Sequence, residues 1–229
     1  MLPIVHSSKK SIIFAISMRF YKVSSFIQRY FHRYIWRMNT KEKSVYLTFD
    51  DGPNDLATAE VLDILNQFNI PATFFCVGEN VSKYPNIMNR IVSEGHSIGN
   101  HTHNHLKGWS CPSKKYLDNI EQAAIGLSAY TKSNLFRPPY GRIRKEQATE
   151  LLALGYQIIM WDILTYDYDK TLDIKSCIDA ISRKTRNGSI VVFHDSLKSR
   201  NQTNQILPIY IQNMLNKGYQ FKPLNSCFS

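Results

Sequence analysis

Nothing in this chain is long and apolar enough to cross a bilayer as a helix. The longest strictly apolar run near its start covers residues 12–16, and Arg19 interrupts the surrounding segment well short of the roughly 30 Å of hydrocarbon that must be spanned. Cysteine is sparse. Cys76, Cys111, Cys177 and Cys227 lie far apart with no C-x-x-C spacing, which disfavours a zinc ribbon or a dithiol redox pair. Cys76 falls inside an apolar run over residues 73–77, where a buried free thiol is expected. Low-complexity tracts are missing too. With 229 residues, 43% of them hydrophobic, the chain can bury one sizeable core, and disorder is excluded as its main state.

Acid is missing from residues 1–37, which hold Lys9, Lys10, Arg19, Lys22, Arg29, Arg33 and Arg37. Seven of the ten net positive charges therefore sit in this segment, and only three are left for the rest of the chain. A nucleic-acid partner would need a basic face spread over the folded domain with base-reading or stacking groups, and no such module is present. On a helical wheel Phe20, Val23, Ile27, Tyr30, Phe31 and Tyr34 share one face and Arg19, Lys22, Arg29, Arg33 and Arg37 the other, with Phe26 and Trp36 as exceptions. Three readings stay open: a helix packed on the domain, a basic helix lying on an anionic membrane surface, and a cleaved signal peptide that lacks a small-residue cleavage site. The expected organisation is a basic amphipathic segment and junction over residues 1–43 and a catalytic domain over 44–229.

From residue 44 short β-rich runs alternate with amphipathic stretches, the pattern of βα units around a largely parallel sheet. Strands are expected near residues 44–49, 72–77, 96–98, 135–137, 156–161, 189–193 and 219–222. Val61, Ile64, Leu65 and Phe68 recur at helical spacing, as do Ile174, Cys177, Ile178 and Ile181, and these stripes read as core faces. Gly95, Gly155 and Gly218 each follow a helical stretch and precede an apolar run, where a left-handed residue closes a helix at least cost.

In parallel α/β folds functional groups gather where strands end. Asp50 and Asp51 follow the first expected strand, His101 and His105 the third, Arg137 and Tyr140 the fourth, Asp162 and Asp167 the fifth, and His194 and Asp195 the sixth. Two adjacent carboxylates must repel each other or divide their roles around a cation. Histidines four apart fit one side of a helical turn, and one carboxylate completes a His2Asp set with open positions, for which zinc is the expected occupant. His96 and His103 read as non-ligands, Asp162 as a structural acid near the site and Asp195 as a cap. Taken singly, Asp50-Asp51-Gly52-Pro53 also reads as a capped turn and Arg137-Pro138-Pro139-Tyr140 as a strand exit. Five such sets at successive strand ends argue for a site.

Thr48-Phe49-Asp50-Asp51-Gly52-Pro53, His101-Thr102-His103-Asn104-His105, Arg137-Pro138-Pro139-Tyr140, Asp167 with Tyr168, and Val192-Phe193-His194 resemble, in order, the five motifs of the polysaccharide deacetylase family, also called the NodB-homology or carbohydrate esterase 4 family. The resemblance covers about residues 44–221. It implies an α/β fold, a distorted, seven-stranded (β/α) barrel. It also implies that Asp51, His101 and His105 are metal ligands, that Asp50 is the general base held ionised by Arg137, and that His194 is the general acid beside Asp167. The N–H of Tyr140 would help bind an oxyanion. Tyr168 stands where the family more often has Trp, so the groove wall behind His194 is expected to differ.

The leading expectation is a metal-dependent N-deacetylase acting on N-acetylhexosamines of a glycan, with one divalent ion, Zn²⁺ before Co²⁺ or Mn²⁺. Substrate contacts are expected from Tyr140, Tyr168, Pro139 and Trp109, with Tyr166 as a further stacking candidate. Two alternatives remain: a deacylase or deformylase of a lipid-linked amino sugar or small N-acyl compound, held at a membrane through residues 1–37, and a non-catalytic glycan-binding protein. No protein partner is expected, and a cell-envelope or membrane-associated location is favoured slightly over the cytoplasm.

Overall fold

The strand β1 (Ser44–Asp50) is buried along its whole length, and the sheet grows outward from it on both sides. The computed structural model describes residues 19–224, so residues 1–18 of the basic segment and Cys227 lie outside the described residues. Along the chain follow α1 (Ser25–Tyr30), β1, α2 (Ala57–Gln67), β2 (Thr73–Cys76), α3 (Gly78–Lys83), α4 (Pro85–Ser93), β3 (Ser97–Asn100), α5 (Ser113–Leu127) and β4 (Leu135–Phe136). Then come α6 (Lys145–Ala153), β5 (Gln157–Ile158), β6 (Ile163–Leu164), α7 (Ile174–Lys184), β7 (Ser189–His194), α8 (Arg200–Asn216) and β8 (Gln220–Phe221).

The strands are ordered β5-β4-β3-β2-β1-β7-β6, all parallel, with β8 joined to the start of β1. This is the expected seven-strand curl. The eighth strand, the short β6, lies just past the run read as one strand over 156–161, of which only Gln157–Ile158 pairs as β5. In β1, Phe49 stacks on Phe74 and Phe193 at centroid distances of 5.0 and 5.9 Å. Each such ring, taken from water, stabilises the fold by roughly 1.5–3 kcal/mol. Around them Val61 and Leu65 of α2, and Cys177, Ile178 and Ile181 of α7, pack as the stripes predict.

Among the described residues of the basic segment, 19–37, only Ser25–Tyr30 is helical, shorter than the amphipathic face read over residues 19–37; it is capped by the Ser24 hydroxyl, and no residue of it is buried. The flanks are extended because they pair with the barrel's open seam between β5 and β6. Leu164 N–H donates to the Tyr21 carbonyl at 2.9 Å and Val23 N–H to Asp162 at 3.0 Å. Further on, Ile35 N–H donates to Ile158 at 2.9 Å and Met160 N–H to Ile35 at 2.7 Å. Residues 21–35 thus strap the seam, and Trp36, off the predicted apolar face, is buried in the core with Ile158 and Met160. Phe20, Phe26, Ile27, Tyr30 and Phe31 are left exposed. Asp162 lies at the far end of β7 from His194, held by Ser189, Arg186 and Gln28, so it is structural but distant from the strand ends that carry the other acids.

Candidate active site

Segments following the C-terminal ends of β1, β3, β4, β5, β6 and β7 surround a cavity of about 470 Å³ whose lining includes Asp50, Asp51, His101, His105, Tyr140, Tyr168 and His194. Asp50 ends β1 in register with His194 at the end of β7. Neighbouring strands lie roughly 4.8 Å apart, so the pairing brings the two residues together across the cavity floor.

Asp50 is buried, and one of its oxygens is held by the guanidinium of Arg137, Nη1 to Oδ1 at 2.7 Å. Arg137 is itself fully buried. The same Nη1 donates to Thr48 Oγ1 at 2.7 Å, Nε to the Ile159 carbonyl at 3.2 Å and Nη2 to the Met160 carbonyl at 3.0 Å. Its plane lies over the Phe75 ring, 4.2 Å from the centroid. A buried guanidinium is tolerated when its donors are met this way. It links β1 to the irregular chain after β5, where the ladder is interrupted.

Asp51 turns out of the strand with φ 87°, away from its neighbour. Two contacts hold that turn. Gly52 N–H donates to Asp195 Oδ1 at 2.9 Å, and Asn80 Nδ2 donates to the Asp51 carbonyl at 2.9 Å. Gly52 is required, because a Cβ there would fall 2.0 Å from Asp195 Oδ2. Asp195 also accepts from Thr58 Oγ1 at 2.7 Å, so it anchors this turn rather than capping the following helix. Burial pushes its carboxyl up to about 7, opposed by the Thr58 bond.

His101 and His105 do not sit on a helical turn. They lie in a loop where Thr102 and His105 have φ 65° and 56°, and the Gly78 and Glu79 N–H groups at the start of α3 donate to the Thr102 and His103 carbonyls. His101 Nδ1 donates to the Arg137 carbonyl at 2.8 Å, which leaves Nε2 as the lone-pair nitrogen aimed at Asp51. Burial lowers its pKa to about 4, so the imidazole is neutral near pH 7. Asp51 Oδ1 lies 3.2 Å from His105 Nε2 and 3.8 Å from His101 Nε2, and the ligand atoms of the three residues all lie within 4.8 Å of one another. Two imidazole nitrogens and one carboxylate oxygen around an open cavity fit a divalent cation of the zinc class with positions left for solvent or substrate.

On the other side, His194 Nδ1 bonds Asp167 Oδ1 at 2.7 Å, and Asp167 Oδ2 accepts from the His194 N–H and from Thr203 Oγ1, both at 2.7 Å. Burial alone would lower the His194 pKa, but the charge and hydrogen bond of Asp167, with Asp51 and Asp50 beyond, raise it to about 9. Its Nε2 is the free nitrogen. Tyr140 occupies a tight turn at φ 60° and its N–H has no hydrogen-bond partner among the described residues.

A model of the family described as "Polysaccharide deacetylase" matches residues 37–159. A peptidoglycan-N-acetylglucosamine deacetylase of Bacillus cereus is 32% identical over 188 residues, 81% of this chain and 88% of that protein. The chain belongs to the polysaccharide deacetylase family. A chitooligosaccharide deacetylase of a Bradyrhizobium species is 31% identical over 80% of this chain and 89% of its own. The crystal structure of a peptidoglycan N-acetylglucosamine deacetylase in complex with 4-naphthalen-1-yl-N-oxidanyl-benzamide superposes with a TM-score of 0.82 at 30% identity, over 90% of this chain and 97% of that one. This polysaccharide deacetylase is a hydrolase of carbon–nitrogen bonds outside peptides, by its kinship.

Of the residues singled out in the sequence, the polysaccharide deacetylase fold brings Asp50, Asp51, His101, His105, Tyr140, Tyr168 and His194 to one cavity, with Arg137 and Asp167 directly behind it. Tyr168 packs edge-on against His194 at 5.0 Å and forms the wall beside it. Two of the expected substrate contacts fall elsewhere. Pro139 is buried in its turn and Trp109 lies outside the cavity lining, its Nε1 donating to the Ile143 carbonyl at 2.9 Å. Tyr166 packs against Tyr21 of the strap rather than lining the cavity. His103 is not a member of the ligand set, and His96 stands just before β3, its Nδ1 accepting from the Ala72 N–H. Sequence reading missed Lys107, Arg142, Trp161 and Lys198, which line the cavity from loops with no motif spacing.

Proposed function

We propose that this protein is a metal-dependent N-deacetylase that hydrolyses the acetamide of N-acetylhexosamine residues in a cell-envelope glycan and releases acetate. The observation that carries the reading is the division of labour between adjacent carboxylates. Asp51 faces two imidazole nitrogens within 4.8 Å, while Asp50 is turned to Arg137 and takes no part in that set.

Asp51, His101 and His105 would hold the cation, with Zn²⁺ favoured over Co²⁺ or Mn²⁺ by the mixed nitrogen and oxygen donors. When bound, the ion supplies Lewis acidity, polarising the acyl carbonyl and bringing ionisation of a water within reach of neutral pH. The free oxygen of Asp50 takes a proton from the attacking water while Arg137 fixes its other oxygen. The Tyr140 N–H is placed to donate to the carbonyl oxygen as negative charge builds there, a contribution of about 3 kcal/mol for one preorganised donor. His194 delivers a proton to the departing nitrogen from Nε2, its Nδ1 being engaged by Asp167. The new C–O bond and the broken C–N bond leave acetate and a free amine.

Chitotetraose and soluble peptidoglycan fragments, incubated with the zinc-loaded protein, should release acetate. Asp50→Asn, His101→Ala and His194→Ala should abolish most of that release, and full activity in metal-free Asp50→Asn would end the proposal.

The exposed Phe20, Phe26, Tyr30 and Phe31 interleaved with Arg29 and Arg33 favour a second reading for the setting, contact with an anionic membrane surface near a lipid-linked amino-sugar substrate. Flotation with anionic liposomes should carry the protein upward. Recovery in the soluble fraction, equal to that of a variant with those four aromatics changed to serine, would remove this reading.

A further inference from the structure

Three cations line the cavity that the proposed chemistry does not use: Lys107, Arg142 and Lys198. Arg142 and Lys198 are exposed and Lys107 half-buried. Among the described residues no carboxylate lies within 4.0 Å of any of them. Each is instead steered by an aromatic ring. Lys107 Nζ sits 5.1 Å from the centroid of Tyr140, Lys198 Nζ 5.3 Å from that of Tyr168, and the Arg142 guanidinium 5.3 Å from that of Trp109. Cation–π contacts of this length hold a cation over a ring without neutralising it.

The placement of these rings sets the positions of the charges. Tyr140 touches His105 at 4.7 Å and Tyr168 touches His194 at 5.0 Å, so one lysine flanks the ligand side of the centre and the other the acid side. Among the described residues, the carboxylates lining the cavity are Asp50 and Asp51, the first matched by Arg137 and the second assigned to the cation. A rim of three uncompensated positive charges gives nothing to a neutral chain of N-acetylglucosamine. It attracts a chain whose neighbouring rings carry anions, raising both encounter rate and affinity.

We propose that Lys107, Arg142 and Lys198 form a cationic rim that selects glycans bearing a carboxylate or phosphate on a ring adjacent to the one deacetylated. The inference rests on the deacetylase reading and narrows its substrate class.

The test measures kcat/KM for acetate release by the zinc-loaded full chain on four probes. These are neutral chitotetraose, a tetrasaccharide with lactyl-ether carboxylates on alternate rings, the methyl ester of that compound, and chitotetraose carrying a 6-phosphate. Three solvent-accessible ion pairs of ordinary strength combine to about a tenfold preference for an anionic probe over the neutral one at low ionic strength. The carboxylate and phosphate probes show which anion is read. Esterification should erase the preference, as should about 0.5 M salt, where the screening length is only a few ångströms. Lys107→Gln/Arg142→Gln/Lys198→Gln should lower the ratio of anionic to neutral kcat/KM by about the same tenfold. Cleavage of all four probes at similar rates, or a preference indifferent to salt and to esterification, would overturn the rim while leaving the deacetylase reading in place. Failure to cleave any probe would instead overturn the deacetylase reading and the rim with it.

Discussion

Replacing Asp167 with Asn tests the proposed acid most directly, because it removes a charge while leaving a side chain of the same shape. In the native arrangement Asp167 Oδ1 takes the Nδ1 proton of His194 at 2.7 Å, and the His194 pKa stands at about 9 against its ordinary 6.5. A cation held by Asp51 offsets the part contributed by Asp50 and Asp51, so about 9 is the upper figure for the loaded enzyme. An imidazole titrating near 9 is about nine-tenths charged at pH 8, and one titrating near 6.5 is about one-thirtieth charged, a loss of roughly 2 kcal/mol of available acid. The alkaline limb of the kcat profile should therefore move from between 6.5 and 9 in the native enzyme to 6.5 or below in Asp167→Asn. The rate at pH 8 should drop by up to thirtyfold, and less at pH 6. The folded pKa is raised, so the stability that His194 contributes is fully present below 6.5 and lost as pH rises through about 9. Thermal unfolding of the variant should lose that dependence. Thr203→Val is the control, since it removes a bond to Asp167 Oδ2 and leaves the His194 ring contact in place. A kcat profile for Asp167→Asn that keeps its alkaline limb where the native enzyme has it would refute the assignment.

Other substitutions probe the remaining parts. Asp51→Asn should weaken zinc binding at least tenfold in calorimetric titration, by roughly 1.4 kcal/mol or more, because the only anionic donor of the set is lost. Arg137→Met strands the buried Asp50 carboxylate and two carbonyls, and should lower unfolding free energy in urea by about 3–5 kcal/mol, with activity abolished. Gly52→Ala must displace Asp195, costing roughly 1–3 kcal/mol of stability and moving the Asp51 turn, which zinc affinity reports.

Much of the site was legible because its residues follow strands that the hydrophobic pattern marks plainly, as Asp50 follows residues 44–49 and His194 follows 189–193. The i, i+4 histidine spacing pointed to the right pair through the wrong geometry: the two rings meet across a loop whose left-handed residues, Thr102 and His105, carry no glycine to announce it. Asp195 misled for a related reason. Its partners Gly52 and Thr58 lie more than a hundred and thirty residues earlier, and a long-range anchor leaves no local trace. Lys107, Arg142 and Lys198 escaped notice because surface cations are common in any sequence and only the cavity gathers these three.

The apolar run 156–161 shows where periodicity stops being informative. Its residues suit one buried strand, yet the chain leaves the ladder after Ile158, rejoins it at Ile163, and gives the Ile159 and Met160 carbonyls to Arg137. Pairing with Ile35 from the strap takes up the Ile158 carbonyl and the Met160 N–H on the same stretch. An unbroken strand would have closed the sheet and left the guanidinium without half of its acceptors, and a buried arginine with unmet donors is too costly to keep. The interruption therefore belongs to the chemistry. It lets one buried cation tie the seam of the barrel to the carboxylate proposed as base, and it couples the stability of the fold at that seam to the position of Asp50.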